Sequence, residues 1–180
     1  KTIIFEDVPS GHWAQKSIMA LYSKNIVSGV DKNLFKPNDF VTREQFVKML
    51  VSAVNTEISE DDECAFTDVE RGTWYYPYVA AAVKSGIVSG VSETEFGIGN
   101  LITREQIAAM CFRALKLTST DAIAAEEFKD SADVSEYAAE AVSEMRKLGI
   151  INGNENGEFL PKNYASRAEA AQIIFGIISM

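Results

Sequence analysis

The chain has 180 residues, of which 47% are hydrophobic, enough to bury a core as one compact domain or as an array of small units. Its net charge of -9 excludes the basic footprint of a non-specific nucleic-acid binder, and bulk adhesion to anionic lipid or polymer. Any anionic ligand must be met by a few local cations. No apolar run approaches the roughly 18 residues of a membrane span, and Lys1–Glu6 carries no apolar signal-peptide core, as in a mature or excised segment.

In chain order, the first feature is Phe5-Glu6-Asp7-Val8, followed by a helix expected from near Trp13 to about Lys24 with apolar Ala14, Ile18 and Leu21 on one face. Asn25 stands where a helix ends in the left-handed region, and Ile26-Val27-Ser28-Gly29-Val30 follows. A long loop carries Phe35-Lys36-Pro37, Phe40 and Val41. Its length is unusual between two helices, and its apolar residues are expected to pack down, with room for a short extended pairing. Thr42-Arg43-Glu44-Gln45 then reads as a capping box, opening a second helix with Phe46, Met49, Leu50 and Ala53 at helical spacing.

The same order then recurs, and such internal periodicity governs the fold. Phe66-Thr67-Asp68-Val69, Trp74, Ile87-Val88-Ser89-Gly90-Val91 and Thr103-Arg104-Glu105-Gln106 repeat the first copy at a constant offset of 61 (5 to 66, 29 to 90, 43 to 104). Phe128-Lys129-Asp130-Ser131, Tyr137, Ile150-Ile151-Asn152-Gly153 and Ser166-Arg167-Ala168-Glu169 repeat it again, shifted by 62 at the Phe and 63 afterwards. First helices are read on Tyr75, Val79 and Ala82, and on Ala138, Val142 and Met145, closed by Gly86 and Gly149. The second helices carry Ile107, Met110, Cys111 and Ala114, and Ala170, Ile173, Ile174 and Ile177. The expected fold is mainly α: three helix-loop-helix repeats, at 1–60, 61–122 and 123–180, packed as one pseudo-threefold unit around a central helical bundle.

Arg43, Arg104 and Arg167 each fall at the first helical position, where a cation opposes the helix dipole at a cost of about 0.3–1 kcal/mol. A side chain that works against local stability in all three copies calls for an anionic partner. That partner is either an internal Asp7, Asp68 or Asp130, or a ligand carboxylate held together with free N–H groups of the helix end. On the ligand reading, Arg43→Ala together with Arg104→Ala weakens binding and leaves the melting temperature unchanged or slightly higher. Trp13 and Trp74 are either helix-entry core aromatics or flat faces for a sugar ring. Gly29, Gly90 and Gly153 read as positive-φ positions that would also let a ligand approach. The three Asp residues read as turn formers able to accept a sugar hydroxyl.

Other features read more plainly. His12, the single histidine, has no counterpart in the other copies and reads as a surface residue. Glu60–Glu63 reads as a solvated acidic loop, since it lacks calcium-loop spacing, and Asn154-Glu155-Asn156-Gly157 as a turn. Cys64 and Cys111 are either a disulfide or, for Cys111, a small apolar core residue. No metal or cofactor is expected.

The combination of Phe-x-Asp-Val, Trp-Ala, Ile-Val-Ser-Gly, Phe-x-Pro and Thr-Arg-Glu, over nearly the whole chain, resembles the S-layer homology family. The resemblance implies three repeats that anchor a larger extracellular surface protein to the bacterial cell wall. They would do so without catalysis, by binding an acidic secondary wall polysaccharide, often pyruvylated, in grooves between repeats. It also implies that Arg43, Arg104 and Arg167 are the main ligand contacts, helped by Asp7, Asp68, Asp130, Trp13, Trp74, Gly29, Gly90 and Gly153. The expected grouping is an Arg of one repeat facing the Asp, Trp and Gly of the next, with the first two copies supplying the better sites. The chain is expected to be monomeric, with no nucleic-acid partner and no membrane insertion. The alternative is a protein-interaction module for surface-lattice assembly. A glycosidase is disfavoured, because no pair of carboxylates stands out.

Overall fold

The computed structural model describes residues 5–118 and 126–180. The first four residues and part of the second connector, 116–127, lie outside them. Six α-helices form: α1 Gln15–Ser23, α2 Arg43–Ala53, α3 Tyr76–Lys84, α4 Arg104–Ala114, α5 Glu136–Lys147 and α6 Arg167–Ile178, with no β-strand beyond isolated bridges among the described residues. The start and stop signals of the sequence are where the helices begin and end. The capping box forms in both halves at α4 and α6, and at α2 the Gln45 side chain accepts the Thr42 N–H while the buried Thr42 hydroxyl has no hydrogen-bond partner. The residues after the first helices, Asn25, Gly86 and Gly149, sit at φ 58°, 70° and 69°.

The repeats interlock instead of folding back on themselves. The second helix of each repeat packs on the first helix of the next: α2 on α3, α4 on α5, and α6 back on α1. The ring therefore closes, and one hydrophobic core runs through all three repeats. Ile18, Leu21, Phe35, Phe46, Leu50, Phe96, Ile107, Phe159 and Ile174 are fully buried in it. Each such side chain contributes about 1.5–3 kcal/mol relative to exposure, so one repeat alone would leave uncovered the faces that its neighbours bury.

At the pseudo-threefold axis the backbone makes a triangle of hydrogen bonds. Val41 N–H donates to Ala165 O, Ala165 N–H to Ile102 O, and Ile102 N–H to Val41 O, at 3.0–3.1 Å. The three N-termini of α2, α4 and α6 thus converge on one point. Their first N–H groups are satisfied there: Arg43 N–H by Asn100 O, Arg104 N–H by Asn163 O, and Arg167 N–H by Asp39 O. These helix ends are filled by the protein itself, contrary to the expectation that they offer free donors to a ligand.

The long loop does carry its short pairing. Val30, Val91 and Asn154 N–H groups donate to Leu34, Glu95 and Glu158 carbonyls, making one tight turn per repeat. Phe35 and Val41 pack down as expected, whereas Phe40 is 54% exposed, its ring edge-on to Tyr164. Cys111 is a fully buried core residue and Cys64 is a free, half-buried thiol. The acidic loop is not uniformly solvated: Asp62 is buried and paired with Lys84 at 2.6 Å. His12 is half-buried, and its Nδ1 accepts the Ala14 N–H just before α1. Asn154 forms the expected turn, its side chain accepting the N–H groups of Asn156 and Glu158.

Candidate functional site

Each arginine at a helix start reaches out of its own repeat. Arg43 lies under the loop of the second repeat: Nε donates to Phe96 O at 3.0 Å, Nη2 to Ser89 O at 3.1 Å, and the guanidinium sits 4.8 Å from the Phe96 ring centre. Arg167 does the same to the first repeat, through Phe35 O at 2.8 Å, Ser28 O at 3.1 Å and the Phe35 ring at 4.5 Å. Arg104 does it to the third, through Phe159 O at 2.7 Å, Asn152 O at 3.4 Å and the Phe159 ring at 5.1 Å. The side chains thus bend away from the helix axis, and carbonyl dipoles of the next repeat meet the charge.

The internal partner left open by the sequence is different in the three copies. Arg104 has a carboxylate: Nη1 lies 2.7 Å from Glu169 Oε1. Among the described residues, Arg43 and Arg167 form no ion pair. Burial draws both of their pKa values down from the usual arginine range, with only more distant charges opposing it: Tyr137, Asp68 and Glu44 around Arg43, and Asp39 and Asp7 around Arg167. These are two partly desolvated cations whose direct contacts are carbonyl oxygens and a ring face, with carboxylates acting only from a distance.

Asp7, Asp68 and Asp130 support the carbonyls that hold the arginines. Asp7 accepts the N–H groups of Phe35 and Lys36. Asp68 accepts those of Phe96, Gly97 and Ile98, and Asp130 those of Phe159 and Leu160. Desolvation alone would raise the pKa of Asp68 and Asp130, but the backbone donors together outweigh it and hold both below the usual range. None of the three forms an ion pair with an arginine, but each lies within electrostatic reach of the arginine of the preceding repeat: Asp68 acts on Arg43, Asp7 on Arg167, and Arg104 on Asp130. None of the three lines the grooves described next.

Three grooves follow the pseudo-symmetry. One, of about 380 Å³, is lined by Arg43, Ser89, Gly90, Gln106, Arg113 and Tyr137 among others. A second, of about 490 Å³, is lined by Trp13, Arg104, Asn152, Gly153, Tyr164, Glu169 and Gln172 among others. A third, of about 190 Å³, is lined by Ser28, Gly29, Gln45, Lys48, Trp74 and Arg167 among others. In every case the arginine comes from one repeat, the Ser/Asn-Gly turn and second helix from the next, and the aromatic from the one after. The expected grouping is therefore corrected. The Gly does come from the next repeat, but the Trp comes from the third, and no groove belongs to one copy.

The aromatics are not core residues. Trp13, Trp74 and Tyr137 are 61%, 52% and 54% exposed. Trp74 stands near the Lys48 ammonium, 5.8 Å from its ring centre. Tyr137 donates to Glu105 at 3.3 Å, and burial, with Glu105 beside it, pushes its phenol up to about 12.

The glycines differ from expectation. None of Gly29, Gly90 and Gly153 has positive φ. A Cβ at Gly90 would lie 2.4 Å from Glu95 O and Ser92 O and 2.5 Å from Phe66, and at Gly29 it would lie 2.8 Å from Leu34 O. The absent side chain lets the turn close against the Phe of the Phe-x-Asp-Val segment.

Sequence reasoning missed five groove residues and two braces. Lys48 and Arg113 have no counterpart cation in the other repeats, and so fell outside the repeat logic. Gln45, Gln106 and Glu169 were visible only as capping partners. Glu44 accepts the Gly99 N–H of the next repeat, and Glu105 accepts Ser135 N–H at the start of α5 together with Lys162. The capping-box position next to each Arg gave no sign of these cross-repeat bonds. Among the described residues no cluster of His, Cys, Asp and Glu is arranged to hold a metal ion, and no helix is long and apolar enough to cross a membrane.

The S-layer homology domain family matches the chain at residues 4–47, 65–108 and 127–171. The chain is 35% identical to Exoglucanase XynX of Acetivibrio thermocellus over 99% of its own length and 16% of that protein. It is 36% identical to an Amylopullulanase of Thermoanaerobacterium thermosulfurigenes, over 97% of the chain and 9% of that protein. With an S-layer protein of Bacillus thuringiensis subsp. finitimus the identity is 34%, over 94% of the chain and 21% of that protein. The chain thus spans between 9% and 21% of the length of these relatives. With the family matched in all three copies and the copies closed into one body, this chain belongs to the S-layer homology family and is a cell-surface anchoring module.

Proposed function

We propose that this module, taken as repeats 1–60, 61–122 and 123–180, holds a larger surface protein on the bacterial cell wall. It does so by binding an acidic, pyruvate-ketal-bearing wall polysaccharide, and it carries no catalytic site. The carrying observation is the pair of guanidinium groups of Arg43 and Arg167. Both are desolvated and without a carboxylate, and both line a solvent-open groove that ends in an exposed aromatic. The Arg43 groove adds Arg113 and the Arg167 groove adds Lys48, and neither is lined by an acidic residue. In a chain of net charge -9, two dicationic grooves are a local arrangement against the bulk.

The mechanism follows from these parts. A ketal carboxylate lies against the guanidinium and displaces no internal anion. The sugar ring lies on Trp74 or Tyr137, and the Ser-Gly turn leaves room for its ring substituents. Charge-assisted bonds of this kind contribute about 1.5–3 kcal/mol each. Two such grooves on one rigid body gripping one polymer raise apparent affinity without any new contact. The glucanase and amylopullulanase relatives, of which this chain matches a small share, support a module that attaches varied cargo.

The test is sedimentation of the purified module with isolated cell-wall polymer, before and after mild acid removal of the ketal. Binding is expected to fall at least tenfold on removal. Equal binding to both forms would sink the arginine–carboxylate mechanism and favour recognition of a protein surface.

A further inference from the structure

The three grooves share a scaffold but differ at one atom. In the Arg167 and Arg43 grooves the third helical residue is Gln45 or Gln106. Its Oε1 accepts the capping N–H of Thr42 or Thr103, each at 3.2 Å, so its free end is an N–H donor. In the Arg104 groove the residue is Glu169. Its Oε2 accepts the Ser166 N–H at 2.7 Å, so its free end is Oε1, and that oxygen takes Arg104 Nη1 at 2.7 Å. One oxygen in place of one nitrogen turns a donor into an anion at the mouth of the groove. Glu158 also lines this groove, so it holds one cation and two carboxylates where each of the other grooves holds two cations and no carboxylate.

We infer that the Arg104 groove takes an uncharged saccharide unit instead of an acidic one, with Glu169 as the built-in counter-ion that sets this specificity. The inference rests on the reading that the grooves bind saccharide. A ligand carboxylate entering here would have to displace Glu169 or crowd a second anion against one guanidinium, and like charges at that range repel. The rest of the lining suits hydroxyl and acetamido groups: Asn152, Asn163 and Gln172 offer both donors and acceptors, and Trp13 and Tyr164 offer exposed ring faces. At about 490 Å³ it also exceeds the other two grooves. One polymer strand could then be read at acidic units by two grooves and at a neutral unit by the third.

The two tryptophans make the test groove-specific, because Trp13 lines the Arg104 groove and Trp74 the Arg167 groove. The indole N–H signals of the 15N-labelled 180-residue chain are followed in titrations with two methyl glycosides. One is an N-acetylhexosamine carrying a 4,6-carboxyethylidene ketal, and the other is the same sugar without it. In the wild type, the acidic probe is expected to shift Trp74, to shift Trp13 only at concentrations at least tenfold higher, and the neutral probe to shift Trp13. In E169Q, which has the capping residue of the other two repeats and so keeps the box, Trp13 is expected to gain at least tenfold in affinity for the acidic probe. The Trp74 response should be unchanged. Equal response of both tryptophans to the acidic probe in the wild type, or no gain in E169Q, overturns the inference. Silence of Trp74 toward the acidic probe counts against the wall-polymer reading instead, and the Trp13 response to the neutral probe still decides this one, its absence overturning it.

Discussion

Replacing Arg43 by alanine is expected to cost stability as well as binding, and the geometry gives the size of the loss. The side chain donates to Phe96 O at 3.0 Å and Ser89 O at 3.1 Å and sits 4.8 Å from the Phe96 ring centre, all on the next repeat. Hydrogen bonds from a charged donor contribute about 1.5–3 kcal/mol each, and a desolvated cation–π contact up to about 2. Against these stand the desolvation that draws the Arg43 pKa down and the release of about 0.3–1 kcal/mol of helix-dipole repulsion. The net loss is about 2–4 kcal/mol, or a melting temperature about 10 °C lower in a chain of this size. Circular-dichroism melting at neutral pH measures it directly. Arg43→Lys keeps the charge but cannot present the fork. It should lose less stability and still lose most of the acidic-ligand binding. An unchanged or raised melting temperature in Arg43→Ala would show that the carbonyl contacts contribute nothing. It would restore the simpler picture of an arginine serving only the ligand.

Three further outcomes are expected. Trp74→Ala should weaken polymer binding about tenfold in titration calorimetry, as befits a lost stacking face, while its melting point moves little, since the ring is 52% exposed. Gly90→Ala should destabilise by more than about 2 kcal/mol in urea unfolding, because its Cβ would meet two carbonyl oxygens at 2.4 Å. Gly11→Ala, with nothing within 4 Å, should be neutral. Because the folded-state pKa values of Asp68 and Asp130 are lowered, the stability they contribute is fully present above the unfolded aspartate value of about 3.9 and is lost as pH falls through the folded values. Melting temperature should therefore drop steeply below about pH 4, and Asp68→Asn should flatten that slope while lowering stability at neutral pH.

What was legible in the sequence was what the chain encodes locally and repeats. The capping boxes at Thr42, Thr103 and Ser166 are three-residue spacings, and Asn25, Gly86 and Gly149 mark helix ends by their tolerance of positive φ, so both could be placed without a structure. The packing of α2 on α3, α4 on α5 and α6 on α1 could not, because a helix face does not say which repeat it will meet. For the same reason Trp13 is grouped in the sequence with Asp7 and Gly29 of its own repeat, whereas it completes a groove with Arg104 and Glu169. Gly90 was misread because a glycine needed for space looks the same as one needed for φ. Only the carbonyls of Ser92 and Glu95, brought close by the turn, tell them apart. The Asp of each Phe-x-Asp segment was read as a turn former, and its bonds to the N–H groups of Phe35, Phe96 and Phe159, nearly thirty residues on, show what the turn holds. Glu169 was in plain view as a capping partner, but its meaning depended on Arg104, in a different repeat.

Arg43 and Arg167, which form no ion pair among the described residues, are proposed to take a ligand carboxylate in grooves built from all three repeats. A crystal structure of the module with a ketal-bearing wall oligosaccharide tests this most directly. The carboxylate is expected within hydrogen-bonding distance of Arg43 and Arg167, with the sugar rings against Tyr137 and Trp74. A saccharide seated away from both arginines, or bound with its carboxylate turned to solvent, would contradict it.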